Sequence, residues 1–476
     1  MKEGYLTVFL SLILSIMISL CLTLILGVRE STRRLEIECV TDIGMNSILA
    51  EYSRELLKQY DLFFIDTSYG STRASYENTA AHLKEYVTYN IEGDDLFLSG
   101  LLRNPLKLSL QGIDMTEVSV ASDEDGSVLR RQAVEVMYQR IGLTYLQQLE
   151  EWLKVVDSYD MAVRDIGAEQ KAAADALKEW DDSLTYTDEK EAKTTFDNPS
   201  GTVASFWEAG ILNLVVEDTE ELSIRSINPA EYISSRTLLA GTGMASAIEF
   251  ADSWWEQLLF QEYILAYTRH YGEEKESGCL QYQVEYILSG KENDLDNLKA
   301  VVYELLAIRA VADTVTLASD KEKMRLLEIA SKVIATLLTQ PEIAPLIQTL
   351  LFLTWAMAES IYDVSQLMQG GRVPLLKSSG EWHYDLTEIF DFQGGSDDEV
   401  RSDSGLSYAD YLRILLCLQN KKTTTFRLMD IMEMDIRQTP GNRYFRMDGC
   451  IDSLTATLYF TGSDRKSYQI TRSYGY

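Results

Sequence analysis

From Tyr5 to Leu26 the chain carries no charge across 22 residues. At about 1.5 Å per residue a helix of that length covers about 33 Å, enough for a bilayer core. A cleaved secretory signal has an apolar core of only about 7–15 residues and then a small-residue cleavage site. This run is longer and ends Leu26-Gly27-Val28-Arg29 without such a site, and Leu20 is too bulky for lipoprotein-type processing at Cys21. The pattern predicts an uncleaved signal anchor over residues 1–27. Thr7, Ser11, Ser15, Ser19 and Thr23 recur every four residues, so they wind slowly round one side of that helix. Small residues at this spacing let membrane helices approach closely, which makes the five the expected packing face for a partner helix. The competing reading is that each hydroxyl bonds its own preceding carbonyl.

Beyond the anchor, Met45, Leu49, Tyr52, Leu56 and Tyr60 keep three- and four-residue steps, and a stalk helix is expected over 28–60. An α/β segment follows over 61–180. In it Leu62–Ile65 reads as a short buried strand, Ser75–Tyr89 as a helix and Asp123–Gly126 as a turn. Ser127 then caps a long helical stretch to about Glu179, with Val134, Tyr138, Ile141, Tyr145, Leu149, Leu153 and Val156 on one side. Residues 181–235 read as a linker with short strands. Asp181–Thr202 is polar and holds Asn198-Pro199-Ser200-Gly201, Leu212–Val216 is a strand candidate, and an acidic run covers 217–221.

A helical core is expected over 236–370. Gly241–Ser246 holds half of a dinucleotide fingerprint, and the missing third glycine favours a plain turn into a helix. Asp294–Leu317 and Lys321–Leu338 are amphipathic helices, and Pro341 marks a break. Ile343–Ala358 is apolar for 16 residues but contains Pro345 and Gln348, so it reads as a buried helix rather than a second span. Over 371–476, Val373–Leu376 is extended, Gly394–Gly405 is an acidic loop, and helices are expected at Ser407–Asn420 and Thr425–Arg437. The period then changes to two: Leu454, Ala456, Leu458 and Phe460 alternate with polar or half-buried positions, Gly462–Asp464 turns the chain, and Tyr468, Ile470 and Tyr474 return it as a hairpin. The fold class is α+β, predominantly helical: an anchor and stalk helix, then a large extracytoplasmic domain ending in a β-hairpin.

Composition narrows the function. With 43 basic and 74 acidic residues the formal charge is −31, which disfavours nucleic acid and a lipid-headgroup surface as partners. The five cysteines and three histidines are scattered, with no metal-ligand or redox spacing. No P-loop, nucleophile elbow or zinc-protease motif is present, so no cofactor, metal or catalytic residue is assigned. The 27 tyrosines and 7 tryptophans suit an outside domain that binds through aromatic surface.

Gly4-Tyr5-Leu6-Thr7-Val8-Phe9 resembles the start of the pilin-like proteins of tight-adherence (Tad/Flp) pilus systems, with Phe9 where those carry glutamate. Glu38–Asp66, Gly370–Lys377 (GGRVPLLK), Gly405–Leu416 (GLSYADYLRILL) and Arg427–Glu433 (RLMDIME) are similar to an uncharacterised single-pass membrane family of Gram-positive, clostridia-type bacteria that accompanies Tad-type pilus genes. The resemblance implies a cytoplasmic N-terminus and an outside domain, where the flanking charges, Lys2 against Arg29, Arg33 and Arg34, are near balance. It also implies an anchor that continues as a stalk. The expected role is a non-enzymatic accessory or minor pilin-like subunit whose partners are the membrane and other pilus or secretion-system subunits. The alternative is a membrane-tethered cell-envelope hydrolase or solute-binding protein.

Overall fold

The apolar run and the residues after it form one helix, α1 (Lys2–Leu49), in the computed structural model. The structure describes residues 2–71, 73–92, 106–140, 210–216, 219–239, 241–242, 254–274, 278–337, 339–390 and 404–476. The chain divides into two units, each discontinuous in sequence. The first takes Met1–Ala133, Thr237–Ala251 and Met432–Tyr476, and the second takes Val134–Arg236 and Asp252–Ile431.

In the first unit α1 has two halves of opposite character. Every side chain from Tyr5 to Val28 is exposed. From Arg33 onward one face is buried, through Ile37, Val40, Thr41, Gly44, Met45 and Ile48. These steps of three and four place a single stripe against the core. The helix stops at Leu49, and α2 (Arg54–Tyr60) starts afresh. The expected unbroken stalk to Tyr60 is therefore two helices. Ser53 is the cause: its Oγ accepts from the Leu56 amide at 3.4 Å, and its own amide donates to the Phe64 carbonyl at 2.8 Å instead of joining a helix. Asp61 then ends α2 in the left-handed region at φ 53°.

The sheet of this unit is built on β3 (Cys450–Thr461). On one side β3 pairs in unbroken antiparallel register with β4 (Ser467–Gly475), from Ser453 opposite Gly475 to Thr461 opposite Ser467. This is the expected terminal hairpin. Beyond the end of β4, β3 also pairs with β1 (Ile65–Asp66). The strand expected at Leu62–Ile65 thus shrinks to two residues, although Leu62, Phe64 and Ile65 are all buried. On its other side β3 pairs with β2 (Ser109–Val120), which the hydrophobic pattern does not announce. The register slips between Leu110 and Gly112, between Met115 and Glu117, and between Ser119 and Val120. The first two slips each insert an extra residue in β2, so Leu110, Ile113, Met115, Val118 and Val120 step by three and two rather than by two, and the third puts the extra residue, Asp452, on β3.

Leu454, Ala456, Leu458 and Phe460 of β3 face a core closed by α1 and by α3 (Tyr76–Glu92), with Leu83, Val87 and Ile91 from α3. The turn expected at Asp123–Gly126 is present. Glu124, Asp125 and Gly126 all have positive φ, and α4 (Asp123–Arg140) runs on from it. The remainder of the helix expected to Glu179, the linker 181–202, Gly243–Ser246 of the glycine motif and residues 394–403 of the acidic loop lie outside the described residues.

The second unit is helical. Leu212–Val216, expected as a strand, lies for all but its last residue in a short helix, α5 (Ile211–Val215). A run this short, apolar except for Asn213, is too brief to show a period and fits either element. Helices α6 (Trp254–Tyr267) and α7 (Gln283–Ser289) follow. Next come α8 (Asp294–Ser319), α9 (Lys321–Leu337) and α10 (Ala344–Met368). Asn293 caps α8, its side chain accepting from the Asp296 amide at 2.8 Å. Helix α10 carries all but the first residue of the apolar run at Ile343–Ala358 and is long and apolar enough to cross a membrane. It is nevertheless a core helix, packed on α8 and α9 with Leu351, Trp355 and Ala358 fully buried. The Trp355 ring nitrogen donates to the Tyr384 carbonyl at 2.8 Å. Helices α11 (Tyr408–Leu418) and α12 (Lys421–Arg437) complete the series, and the last residues of α12 belong to the first unit.

Gly44 sets how closely α1 and α3 approach, because a Cβ there would lie 2.7 Å from a Val87 methyl and 3.1 Å from Leu83 Cδ1. Alanine would recover about 1 kcal/mol of helix propensity and mask the clash, so leucine is the cleaner test. Gly44→Leu should lower the stability of the full chain by about 1–3 kcal/mol, read as a drop in denaturation midpoint. An unchanged midpoint would mean that α3 is free to move away from α1.

Candidate functional site

Helix α1 places Thr7, Ser11, Ser15, Ser19 and Thr23 along one exposed stripe. Ser11 donates to the Val8 carbonyl at 2.8 Å and Thr23 to the Ser19 carbonyl at 2.8 Å. These two hydroxyls turn inward on their own helix, so the stripe offers small volume more than hydrogen bonds.

Just past the apolar half, the turn between β3 and β4 is fastened to α1. Arg33 is buried, and its Nη1 donates to Asp464 Oδ2 at 2.8 Å while its Nη2 donates to Ser463 Oγ at 3.2 Å. The Asp464 carboxylate beside it holds the guanidinium above its ordinary pKa despite the cost of burial. Tyr468 donates to Glu30 Oε2 at 2.8 Å, and Arg29 donates to Ser463 Oγ at 3.2 Å. Further along, Arg472 donates to Asp42 at 3.0 Å, and the Tyr476 hydroxyl reaches the Leu49 carbonyl. The hairpin thus follows α1 from its first polar turn to its end.

The second unit holds a cluster of buried charges that the sequence reading did not single out. Arg309 of α8 makes a bond with each of its five N–H groups. Its Nε and Nη2 donate to Asp363 Oδ2 at 3.0 and 2.6 Å, and Nη2 also donates to Asp313 Oδ1 at 2.7 Å. Its Nη1 donates to the carbonyls of Pro374 and Leu375, each at 2.9 Å, with the Tyr411 hydroxyl at 3.1 Å. Lys377 pairs with both Glu359 and Asp363. Glu359 also accepts from the amides of His383, at 3.0 Å, and Tyr384, at 3.2 Å. Burial would strip the charge from Arg309 and Lys377, but the surrounding carboxylates hold both above their ordinary values.

Two cations face three carboxyl groups, so one negative charge is in excess. Asp313 resolves it. Desolvation outweighs the pull of Arg309, and Asp363 adds to it, raising Asp313 to about 7. The geometry agrees. Ser360 Oγ lies 2.7 Å from the Ala356 carbonyl and 2.7 Å from Asp313 Oδ2. One hydroxyl hydrogen can serve only one of these acceptors at a time, so Ser360 can donate to the carbonyl and accept from Asp313 when that group is protonated.

The cluster joins two of the segments that carried the sequence resemblance. Arg309 grips the Pro374 and Leu375 carbonyls, while Val373 and Leu406 exchange backbone bonds, each at 2.9 Å. Gly405 makes this pairing possible: at φ 117°, any Cβ would lie 2.4 Å from the Pro374 nitrogen. Arg309, Asp313 and Glu359 have no exposed surface. Only Lys377 reaches the neighbouring cleft, of about 560 Å³, lined with Thr316, Ser319, Asp320 and Leu376. The arrangement is a lock that fastens an extended segment to three helices, with no carboxyl presented to a substrate. A signal for it does exist in the sequence: Arg309 and Asp313, and likewise Glu359 and Asp363, are four apart inside otherwise apolar helical stretches.

A second buried acid lies in α7, where Glu285 accepts from the Tyr408 hydroxyl at 2.7 Å and the Tyr271 amide at 2.8 Å, and burial raises its pKa. The three histidines are apart, with His82 on Glu51 at 3.1 Å and His383 stacked on Tyr362 at 3.8 Å. Among the described residues no three His, Cys, Asp or Glu side chains are grouped to hold a metal ion.

Arg309→Met keeps the volume but takes the donors from Asp363 Oδ2, Asp313 Oδ1 and two carbonyls, and should destabilise the full chain by about 3–5 kcal/mol in denaturant unfolding. The protonation of Asp313 has its own signature. Between pH 3.8 and about 7 the folded chain holds a proton that the unfolded chain releases, so this group's contribution to stability falls as pH rises through that window and levels above it. Asp313→Asn should flatten that part of the melting-temperature profile and leave the slope contributed by other raised carboxyls, among them Glu285, Asp66 and Asp452. Parallel profiles for the two proteins would refute the assignment.

No curated protein and no solved structure matches this chain. Residues 188–462 match the model of a family of unknown function, DUF5702, which leaves α1 and β2 outside the match. That span is more than half of the sequence, and the chain belongs to this family.

Proposed function

We propose that this chain is a non-enzymatic, membrane-anchored accessory or minor pilin-like subunit of a Tad/Flp-type pilus or secretion apparatus, with a cytoplasmic N-terminus and the bulk of the chain outside. The observation that carries the reading is the division of α1. Its first half is apolar and exposed, and its second half is built into the core of an antiparallel sheet without an intervening break. A pilin-like subunit uses one helix in this way, as membrane anchor and as stalk, and the Gly4–Phe9 start resembles such proteins. The Tad setting and the Gram-positive source rest on that resemblance and on the segments at Gly370–Lys377 and Gly405–Leu416. In this reading the stripe Thr7, Ser11, Ser15, Ser19 and Thr23 packs against the apolar helix of another subunit.

The test is affinity isolation of the tagged full chain from gently cross-linked cells, with partners identified by mass spectrometry. Pilins, the assembly platform or its motor ATPase should be recovered, and Ser11→Leu, Ser15→Leu and Ser19→Leu together should cut that recovery severalfold. If an unrelated span in place of residues 5–26 leaves function intact, the anchor is only a tether, and a hydrolase or solute-binding role takes precedence.

A further inference from the structure

The region where α1 leaves its apolar stretch has a charge opposite to that of the chain. Arg29 is three residues past Leu26, about 4.5 Å along the helix, and Arg34 is about 12 Å along it. The β3–β4 turn is held at this same level by the bonds from Arg29 and Arg33 to Ser463 and Asp464. That turn brings Arg465 and Lys466, residues far away in sequence. The charged groups gathered here are Arg29, Arg33, Arg34, Arg465 and Lys466 against Glu30 and Asp464. Five basic residues meet two acidic ones, in a chain that carries 43 basic and 74 acidic residues in all.

The pairing within this ring is also one-sided. Arg33 is buried and spent on Asp464, and Glu30 is shared between Lys466 at 3.0 Å and Arg34 at 3.3 Å. Arg29, Arg34, Arg465 and Lys466 remain exposed, so the positive excess faces outward. A folded element has been placed where a bilayer surface would be, and its tip is basic.

We infer that Arg29, Arg34, Arg465 and Lys466 form a collar that binds the phosphate-bearing headgroups of anionic phospholipids around the anchor. The inference rests on α1 spanning the membrane. The net charge of −31 argues against lipid binding by the chain as a whole. Screening confines that argument, because at physiological salt charges beyond about 8 Å contribute little to a surface contact. Only the groups at the boundary count, and those are cationic. The collar would seat the hairpin on the headgroups, and through Arg33 and Tyr468 it would fix how α1 stands at the membrane.

The experiment uses the full chain in nanodiscs of equal parts phosphatidylcholine and phosphatidylglycerol, released so that native mass spectrometry weighs the lipids that stay bound. Phosphatidylglycerol should be retained severalfold over phosphatidylcholine, and added salt should erode the preference. Arg34→Gln, Arg465→Gln and Lys466→Gln, all at exposed positions, should reduce it by up to about fivefold per charge removed. Arg34→Lys with Arg465→Lys should preserve it. Equal retention of the two lipids by the inserted wild-type chain overturns the collar, as does a preference that the three glutamines leave unchanged. A chain that does not enter the discs overturns the anchor itself, and the collar with it.

Discussion

The buried face of α1 that begins at Arg33 governs the first unit. Remove it and the sheet loses its cover, because Ile37, Val40, Met45 and Ile48 fill the face that Leu454, Ala456, Leu458 and Phe460 present. The other end of the same helix is apolar and exposed, long enough to cross a membrane. No glycine pair, proline or cap separates the two halves, and Gly27 alone interrupts the sequence between them without breaking the helix. A helix held along its length in this way transmits orientation: tilting the apolar half tilts the sheet. Arg33 enforces the continuity from the side by tying the hairpin to the first turn beyond the apolar stretch.

The second unit is organised by the opposite kind of interaction. Its buried ions are costly to desolvate, and an apolar replacement of the whole set would often be as stable. What they add is definition. The five donors of Arg309 accept one arrangement of Asp313, Asp363 and the Pro374 and Leu375 carbonyls, so the segment after Gly370-Gly371 has one seat on the helices. The proton on Asp313 completes that balance.

Local pattern made most of the helices and the terminal hairpin legible, since periods of 3.6 and two are written directly in Leu298–Val315 and in Leu454–Phe460. It failed where geometry interrupts period. The bulges in β2 erased its alternation, and the short run at 211–215 had none to offer. Charge clusters escaped for a different reason: Arg309, Asp363 and Lys377 are far apart along the chain, and only the fold makes them neighbours. The anchor stripe was readable because all five residues share one helix. The Arg33–Asp464 pair was not, with more than 400 residues between its partners.

The strand at the centre of the first unit, β3, is made after all of the second. Residues 252–431 must be synthesised before Cys450–Thr461 can pair with β2, and β4 joins after it. During that interval β2 waits with an open edge, a template for wrong pairing. The bulges that hid β2 from the hydrophobic pattern twist that edge and make it a poor match for a foreign strand. An irregularity in the finished sheet is thus a safeguard for the nascent chain.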